Sequence, residues 1–342
     1  MPETDDEMHM ATAIALAADV RTRTAPNPWV GALIVTRDGT EHRGATEPPG
    51  GRHAEVVALD AVRAEAGADA GKGATAYVTL EPCAHQGRTA PCAAALIDAG
   101  VGRVVVALDD PDPQVAGAGL AQLRAAGIAV EVGCRADEVA EQLAPYLHHR
   151  RTGRPLVVLK LASTLDGRTA AADGTSQWIT GVAARTDGHR LRAESQAIVV
   201  GAGTVAADDP TLTTRLVDGP DPLRVVLGRA PEQAKVRPCV EWPRDAGDLG
   251  ALLDHLGAEG VLQVLVEGGA TVATSFHRAG LVDRYVLYLA PALAGGDGGP
   301  GLFRGPALAT ITDLWRGRIA GVAAMGDDLR IDVRPVSERG AA

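Results

Sequence analysis

Four residues in the first third of the chain have side chains that can together bind a metal ion and use it. His53 and Glu55 lie in the stretch GGRHAEVVALDAV, and Cys83 and Cys92 lie in LEPCAHQGRTAPCAAAL. An imidazole and two thiolates are ligands that Zn²⁺ prefers, and three protein ligands leave a fourth position open for water. The sequence therefore predicts a zinc site formed by His53, Cys83 and Cys92, with a spare carboxylate beside it.

The order of these residues indicates hydrolytic removal of an amine. His-x-Glu followed by Pro-Cys and a second Cys is the signature of zinc deaminases, in which the glutamate moves protons without binding the metal. Zinc lowers the pKa of a bound water, and Glu55 is the predicted general acid/base that passes the water proton to the departing amine. Two alternatives stay open: a closed structural zinc site with His85 as fourth ligand, and a buried histidine beside unrelated thiols.

Both ligand clusters are predicted at helix starts. Residues i and i+2 lie on opposite sides of a regular helix, so His53 and Glu55 can share a site only where a helix begins. The glycine pair that starts at Gly50 supplies a flexible turn there. Pro91 suits a first helical turn, which puts Cys92 near a helix N-terminus, where the dipole favours the thiolate.

The composition is that of a globular protein with two domains. The chain has 342 residues, of which 46% are hydrophobic and 22% charged, and it is too long for one ordinary core. The N-terminal stretch MPETDDEMHM does not have the pattern of a signal peptide, and no apolar run approaches the ~18 residues of a spanning helix, so a cytoplasmic location is expected. Cys134 and Cys239 have no motif around them and are expected to be small thiols.

The distribution of charge disfavours a nucleic-acid partner. The net charge is −10; residues 1–150 hold 12 Lys and Arg against 21 Asp and Glu, whereas residues 151–342 hold 21 against 22. An acidic surface repels phosphate backbones and gains nothing from counterion release. A small-molecule substrate is therefore expected rather than nucleic acid or a membrane, which disfavours a nucleic-acid-editing deaminase. The sequence leaves open whether the chain forms a homo-oligomer.

The hydrophobic pattern predicts two α/β domains, 1–150 and 151–342, separated at the basic, Gly/Pro-marked stretch HHRRTGRP. In the first domain the predicted strands are WVGALIV, ATAYVTL, RVVVALDD and IAVEV. The predicted helices run from about Met8 to Val20, from His53, from near Pro91, near Leu120, and from Ala136 to His148. In the second domain the apolar strands PLVVLKLAST, QAIVVGAGT, LRVVLG, LQVLVEGG and RYVLYLAPAL suit a sheet covered on both faces.

The motif-bearing segments of the first domain resemble a known family. TAPNPWVGALIV, HAEVVAL and TLEPCAHQGRTAPC are similar to the deaminase half of the bifunctional riboflavin-biosynthesis deaminase/reductase family, often called RibD. The eight residues between Cys83 and Cys92 belong to that family's form of the motif. The resemblance implies a three-layer α/β/α cytidine-deaminase-like domain, with Asn27 and Arg88 facing the substrate. Family members often have a second His in HAEVVAL, where this chain has Val57.

A glycine pattern in the second domain imitates a dinucleotide-binding fingerprint. Gly201-x-Gly203-x-x-Ala206 directly follows a predicted strand. The fingerprint also needs an acidic residue about 20 positions on, at the end of the next strand, but Asp221 precedes the strand LRVVLG. The pattern therefore does not predict a Rossmann domain.

The second domain instead resembles the reductase half of the same family. RPLVVLKLASTLDGRTA, GTSQWITG, HRLRAESQAIVVGAGTVAADDPTLTTR and VLVEGGATVATSF occur in the family's order, which implies a dihydrofolate-reductase-like α/β fold. The resemblance implies NADPH contacts at Ala162, Trp178, Thr204, Asp208, Gly269, Ala270, Thr271, Val272, Ala273, Thr274 and Ser275. It implies substrate contacts at Ser176, Arg192, Leu212, Arg215 and Glu267.

Physical chemistry supports a binding site in this domain. The glycines of the GAG and EGG segments would let backbone amides approach cofactor phosphates. Arg192 and Arg215 can each hold a substrate phosphate through two parallel hydrogen bonds. Lys160, one of three lysines against 30 arginines, interrupts an apolar strand. Because a buried unpaired ammonium is costly, Lys160 is expected to face the substrate, with Asp166 and Glu267 as the nearest carboxylates.

The resemblance as a whole implies two reactions in sequence. The first is zinc-dependent deamination of 2,5-diamino-6-ribosylamino-4(3H)-pyrimidinone 5′-phosphate. The second is NADPH-dependent reduction of the ribosyl group, which gives 5-amino-6-(5-phosphoribitylamino)uracil. The alternative is a deaminase whose second domain is a nucleotide-binding regulatory module; the intact EGG, GAGTVAADDP and SQWITG motifs favour an active reductase.

Overall fold

The computed structural model describes residues 3–67, 69–84, 91–113, 115–243 and 248–336. The chain divides into two compact units, Met1–Gly153 and Arg154–Ala342. The last helix of the first unit ends at Gly153, whose φ of 74° is the left-handed conformation that glycine adopts without strain. No helix within the described ranges is both long enough and apolar enough to cross a membrane.

The first unit alternates helices and strands, as the hydrophobic pattern predicts. In chain order its elements are α1 (Asp5–Val20), β1 (Gly31–Val35), β2 (Glu41–Ala45), α2 (Ala54–Ala66), β3 (Thr75–Leu80), α3 (Cys92–Asp98), β4 (Arg103–Leu108), α4 (Ala118–Ala125), β5 (Ala129–Val132), α5 (Ala136–Gln142) and α6 (Ala144–Thr152).

Two details of this unit differ from the sequence-based expectation. The single helix expected from Ala136 to His148 is two helices, α5 and α6, which meet at Leu143. Pro145 lies in the first turn of α6, where its missing N–H is tolerated, whereas it could not continue the preceding helix. Strand β2 was not predicted, because its sequence EHRGA is short and polar and only two of its residues are buried.

Helices cover both faces of the first sheet, whose strand order is β2-β1-β3-β4-β5. Gly31 on β1 lies against the backbone of α1, and Gly44 on β2 lies against the backbone of α2; a Cβ atom at either position would approach a carbonyl oxygen of Ala13 or Ala54 to about 2 Å. Gly44 pairs with Ala32, the neighbour of Gly31. Successive residues of a strand face opposite sides, so α1 and α2 pack on opposite faces, which gives three layers.

A buried carboxylate organises the loops at one end of this sheet. Glu81, only 4% exposed, directly follows β3. Its two oxygens accept hydrogen bonds from the backbone N–H groups of Asp110, Gly117, Gly119 and Leu120, at 3.0–3.3 Å. Glu81 thereby joins the loop after β3 to the loop after β4 and to the first turn of α4.

The second unit is also built of α/β elements. In chain order they are β6 (Leu156–Thr164), α7 (Val182–Ala193), β7 (Ala197–Gly201), α8 (Ala202–Asp208), β8 (Leu223–Leu227), β9 (Val240–Trp242), α9 (Leu249–Ala258), β10 (Gln263–Val266), α10 (Ala270–Arg278), β11 (Arg284–Ala290), β12 (Gly317–Met325) and β13 (Asp328–Pro335).

The strands of this unit form one sheet in the order β12-β13-β11-β6-β10-β7-β8-β9. Pairing is parallel from β11 to β9, and β13 pairs antiparallel with both β11 and β12. Leu252 and Leu256 of α9 and Phe276 of α10 pack with strand residues in the main hydrophobic core. The sequence did not predict β9, β12 or β13; β12 is almost wholly exposed and therefore lacks a strong apolar signal.

A chain of buried charged groups ties the C-terminal hairpin to α7. The carboxylate of Asp187, 4% exposed, accepts hydrogen bonds from Tyr288 Oη and Arg330 Nη1, both at 2.6 Å. Arg330 also donates to Asp332, which in turn accepts from Arg284. Each charge in this chain has an opposite partner, which offsets the cost of removing it from water.

We predict that Glu81→Ala lowers the free energy of unfolding of the first unit by roughly 3 kcal/mol, because it leaves buried N–H groups without acceptors. The measurement is hydrogen exchange of peptides from residues 3–153 across a urea series. Glu131→Ala is the control, since Glu131 is an exposed ion-pair partner of Arg103 and its loss should cost less than about 1 kcal/mol. Equal losses in the two variants would contradict the organising role of Glu81.

Candidate active sites

The three predicted zinc ligands converge in the first unit. One ligand atom from each of His53, Cys83 and Cys92 lies within 4.8 Å of the other two. His53 Nδ1 is 3.6 Å from Cys83 Sγ and 3.3 Å from Cys92 Sγ. Tetrahedral zinc holds nitrogen and sulfur ligands roughly 3.6 Å apart. The donor set and its spacing therefore fit Zn²⁺.

Two helix starts and one loop position these ligands. His53 is the N-cap residue of α2, and Cys92 is the first residue of α3, as the glycine pair and Pro91 predict. Cys83 follows β3 by three residues, in the loop that Glu81 anchors. The backbone N–H of Cys92 donates to Cys83 Sγ at 3.4 Å, as expected for a thiolate near a helix N-terminus.

The environment favours a thiolate at Cys83. Hydrogen bonds from Cys92 and His53 lower the pKa of the Cys83 thiol. The hydrogen bond to Cys83 and burial raise the pKa of the Cys92 thiol, because one negative charge opposes a second. Hydrogen bonding to Cys83 also raises the pKa of His53. A cation bound between the two sulfurs would stabilise both of them as thiolates.

Glu55 is the buried acid of this site. It lies in the first turn of α2 and is 4% exposed. Burial raises the pKa of its carboxyl to about 7, with a further increase from the charge of Cys83. A carboxyl group near neutrality can both accept and donate a proton at pH 7.

Of the two substrate residues predicted for this unit, the structure describes Asn27. Asn27 lies half-buried between α1 and β1, and its N–H donates to Thr24 O. Arg88 and His85 lie outside the described residues, so their predicted roles stay predictions.

The second unit contains a cleft of about 1470 Å³. A pocket for one drug-sized ligand has a volume of roughly 300–1,000 Å³. The larger volume of this cleft is sufficient for a dinucleotide and a second small molecule side by side. The cleft lies where β6, β7 and β10 end and the helices after them begin, and Lys160, Gly201 and Gly269 line it.

The glycines around this cleft have different tasks. A Cβ atom on Gly268 would lie 2.4 Å from Val272 Cβ, and one on Gly201 would lie 2.9 Å from Val272 Cγ2. These two glycines are therefore required for α10 to pack against the strand ends. Gly203 and Gly269 border open space or a side-chain hydroxyl, so their backbones are accessible to a ligand. Gly269 is the N-cap of α10, whose free N–H groups can bind a phosphate.

Most predicted cofactor residues line the cleft: Ala162, Trp178, Thr204, Asp208, Gly269, Ala270, Thr271, Val272 and Ser275. Ala273 does not, since it is fully buried in the hydrophobic core. Thr274 is not among the lining residues either; its hydroxyl donates to Ala270 O and accepts from Arg304 N. Helical periodicity accounts for Ala273, which lies on the face of α10 opposite to Thr271 and Ser275. The Trp178 ring is 63% exposed and lies 4.6 Å below the Arg185 guanidinium.

A largely buried ion pair lines the cleft. Arg192 Nε and Nη2 donate to the two oxygens of Glu267 at 2.7 and 2.9 Å. Lys160 Nζ is 3.9 Å from Glu267 Oε2 and 5.8 Å from the centre of the Tyr288 ring. Burial opposes ionisation of Glu267, but Arg192 and Lys160 outweigh it and hold the pKa at about 2.

These contacts refine two expectations from the sequence. Nε and Nη2 of Arg192 both donate to Glu267, and Nη1 donates to Thr213 O. The Nε–Nη2 edge is therefore not available to a phosphate. Of the two carboxylates expected near Lys160, Glu267 lies beside it. Asp166 instead accepts hydrogen bonds from Thr164 and from the backbone of residues 294 and 295, so it shapes a loop.

The other predicted substrate residues also line the cleft: Ser176, Leu212 and Arg215. Sequence reasoning missed His189 and Tyr288, which line it as well. The signal for His189 was its position three residues before Arg192 on one helix, which puts both on one face. Tyr288 carried no such local signal, since only tertiary packing brings it to the cleft.

Comparison with known families agrees with this division of the chain. Residues 3–108 match the cytidine and deoxycytidylate deaminase zinc-binding region, and residues 155–330 match the RibD C-terminal domain. The riboflavin biosynthesis protein RibD of Mycobacterium tuberculosis is 44% identical over 338 residues, which cover 95% of this chain and 96% of that protein. RibD of Escherichia coli is 39% identical over 364 residues, which cover 95% and 98%.

Solved structures show the same similarity. Acinetobacter baumannii RibD superposes with a TM-score of 0.89 at 39% identity, over 97% of this chain and 99% of that one. A Thermotoga maritima diaminohydroxyphosphoribosylaminopyrimidine deaminase/5-amino-6-(5-phosphoribosylamino)uracil reductase gives a TM-score of 0.88 at 33% identity, with the same coverage. These matches confirm the predicted fold class, a deaminase-like unit followed by a reductase unit of RibD type.

We predict that Cys83→Ser and Cys92→Ser each reduce bound zinc from about one ion per chain to a small fraction of that, because a hydroxyl is a poor replacement for a thiolate. Metal content after dialysis is the measurement. Cys134→Ser and Cys239→Ser are matched controls, since both are unpaired cysteines outside the cluster. Retention of zinc by both cluster variants would show that the ion binds elsewhere.

We predict that Arg192→Gln lowers the free energy of unfolding at pH 7 by roughly 3 kcal/mol, because it leaves the Glu267 carboxylate buried with less compensation. The folded-state pKa of Glu267, about 2, lies below its ordinary 4.5, so the pair stabilises above pH 4.5 and loses its contribution as the pH falls toward 2. The difference between variant and wild type should therefore shrink below pH 4.5.

Denaturant unfolding from pH 7 to pH 3 measures this difference. Arg154→Gln, which breaks an exposed ion pair with Asp254, is the control and should cost less than about 1 kcal/mol at every pH. A constant difference for Arg192→Gln across the range would contradict the role assigned to the ion pair.

Proposed function

The chain belongs to the RibD family, and from that membership we propose that it catalyses two successive steps of riboflavin biosynthesis on one pyrimidine ribotide. The family's members are bifunctional deaminases and reductases that use Zn²⁺ and NADPH, the cofactors expected from the sequence. The first proposed step deaminates 2,5-diamino-6-ribosylamino-4(3H)-pyrimidinone 5′-phosphate. The second reduces the ribosyl group and gives 5-amino-6-(5-phosphoribitylamino)uracil.

The convergence of His53, Cys83 and Cys92 beside a buried Glu55 carries the deaminase proposal. When bound there, zinc supplies a Lewis acid that lowers the pKa of water. Glu55 accepts a proton on its carboxylate and returns it to the leaving amine, since burial keeps its proton affinity near neutrality. Its low exposure also excludes bulk water from the proton that it carries.

Substrate contacts in the deaminase site are proposed for Asn27 and Arg88. An amide offers both donor and acceptor to a pyrimidine edge, and a guanidinium matches a phosphate. The side chain of Val57 has neither a donor nor an acceptor, so no polar substrate contact is proposed for it.

In the second unit, the N-terminus of α10 and the accessible backbones of Gly203 and Gly269 are suited to NADPH phosphates. The exposed ring of Trp178, with Ala162, Thr204 and Asp208 along the same cleft, suits the rest of the dinucleotide. The cofactor supplies the hydride when bound.

The ribotide is proposed to lie beside Lys160 and Glu267. Ser176, Arg215 and the backbone at Leu212 are proposed to bind its phosphate, because all three line the cleft and offer a hydroxyl, a guanidinium and an N–H group as donors. Arg192 acts from the same site by holding Glu267 in place. Lys160 can orient a ribosyl oxygen or donate a proton to it.

The proposed partner is thus a small molecule rather than nucleic acid, in keeping with the acidic excess of residues 1–150. A cytoplasmic location is proposed because none of the four cysteines forms a disulfide in the structure, which suits a reducing compartment.

The decisive experiment is a mass-spectrometric assay of zinc-loaded protein with the diaminopyrimidine ribotide. Exchange of an amine for oxygen without NADPH, followed by gain of two hydrogens only after NADPH is added, is the expected result. Exchange without that gain would favour the alternative in which the second unit is a nucleotide-binding regulatory module. Absence of exchange would overturn the substrate assignment.

We predict that Glu55→Gln reduces the deamination rate on the order of 10²–10⁴-fold, because the amide cannot carry a proton. Reduction of the deaminated ribotide should stay within twofold of wild type in the same variant, since Glu55 belongs to the other unit. Steady-state rates with each substrate measure both steps. A parallel loss of reductase activity would contradict two independent sites.

A further inference from the structure

His189 is a buried histidine whose tautomer is determined by its surroundings. It lies on α7, is 5% exposed and lines the reductase cleft. The backbone N–H of Arg215 donates to His189 Nδ1 at 3.2 Å. An imidazole nitrogen that accepts a hydrogen bond carries no proton, so in the neutral ring the proton is on Nε2.

The charges near His189 keep the ring neutral. Burial, together with Arg192, Arg215 and Lys160, lowers the pKa of His189 to about 4, against a smaller opposing effect of Glu267. At neutral pH the ring is therefore a hydrogen-bond donor without a charge of its own. Within the described residues no side chain or backbone group is paired with Nε2, although Nδ1 is occupied.

The same charges attract an anion to this end of the cleft. Three cationic side chains and one carboxylate bear on His189, which leaves an excess of positive charge. Arg192 is committed to Glu267, so Arg215, which is exposed, is the cation with donors to spare. A phosphate dianion would balance this excess.

The segment that carries Arg215 is held against His189. Leu212 has a φ of 55°, a conformation that residues with a side chain rarely adopt. Arg192 Nη1 binds Thr213 O at 3.1 Å, and Thr214 N donates to Asp221 at 2.7 Å. The hydrogen bond from Arg215 N to His189 Nδ1 completes these restraints, so ring and segment have a defined relative position.

We propose that His189 donates a hydrogen bond from Nε2 to the phosphate of the ribotide in the reductase site, and that it thereby helps the enzyme to select phosphorylated substrate. This inference rests on the proposed function, which supplies the phosphate. His189 and Arg215 would both donate to the phosphate, and the neutral His189 adds its donor without adding a charge. The Nδ1 atom of His189 also positions the Arg215 segment. It is a substrate-binding residue and takes no part in hydride or proton transfer.

Two substitutions test the roles of the two ring nitrogens of His189 separately. In His189→Asn the side-chain oxygen can accept from Arg215 N in place of Nδ1, but the donor at the Nε2 position is lost. In His189→Gln a side-chain NH₂ can reach the Nε2 position, but the Nδ1 acceptor is lost. His277→Asn is the matched control, since His277 is a half-buried histidine of the same unit bonded to Tyr285 and is not among the cleft residues.

The assay uses the full-length zinc-loaded enzyme with the deaminated ribotide and NADPH. His189→Asn should raise the KM for the ribotide on the order of 10- to 100-fold, because a hydrogen bond to a charged group is lost. The KM for NADPH and kcat should stay within twofold. His189→Gln should recover part of the loss, and His277→Asn should match wild type. An unchanged ribotide KM in His189→Asn, or equal rises for ribotide and NADPH, would overturn the proposal.

A binding measurement tests the role of His189 without catalytic turnover. Ribose 5-phosphate binding, measured by calorimetry, should weaken in His189→Asn by the same factor as the KM, whereas binding of ribose is unaffected. If wild type binds ribose 5-phosphate but does not reduce the ribotide, the proposed function fails while the His189 assignment stands. If His189→Asn and wild type bind ribose 5-phosphate equally, the His189 assignment fails.

The tautomer provides a test in the unmodified protein, should the variants fold poorly. Nitrogen NMR of histidine-labelled enzyme at pH 7 should show His189 neutral, with its proton on Nε2, and the Nε2–H signal should shift when ribose 5-phosphate is added. A protonated Nδ1, or no response to the phosphate, would overturn the proposal.

Discussion

Removing a carboxylate from water costs free energy, and in both units of this protein that cost determines which partners surround the buried carboxylates. Glu81 offsets that cost with four backbone N–H groups, Asp187 with Tyr288 and Arg330, and Glu267 with Arg192 and Lys160. Glu55 has no comparable compensation, and its pKa rises to about 7. The carboxylates with full sets of partners shape the scaffold, and the one without them is free to exchange a proton.

In the second unit the same constraint determines which groups remain for a ligand. Glu267 occupies the bidentate edge of Arg192, which leaves Lys160, Arg215 and the uncharged donor His189 to face the cleft. The site therefore combines the Arg192–Glu267 ion pair with the further positive charges of Lys160 and Arg215. Such an arrangement suits a neutral sugar near Glu267 and a phosphate near Arg215.

Much of the site was predictable because its residues lie in contiguous motifs. His53, Cys83 and Cys92 meet as the residue types and helix starts indicate, and most of the cofactor residues line one cleft. Ala273 and Thr274 were included because they lie within the motif, but Ala273 packs in the core and the Thr274 hydroxyl bonds to Ala270 and Arg304. Arg192 was predicted to bind the substrate phosphate, but in the structure it binds Glu267. No local pattern reveals that pairing, because the two residues are 75 positions apart.

From the sequence it was possible to predict a zinc site, its candidate ligands and the family, because residue types and spacing within short motifs carry that information. The sequence also determined the alternation of helices and strands, since hydrophobic periodicity is local. Three features became visible only in the folded chain: the pairing of β12 and β13 with the sheet, the glycines that packing requires, and the hydrogen bond from Arg215 N to His189 Nδ1. These depend on burial and on contacts between distant residues, and both arise only when the chain is folded.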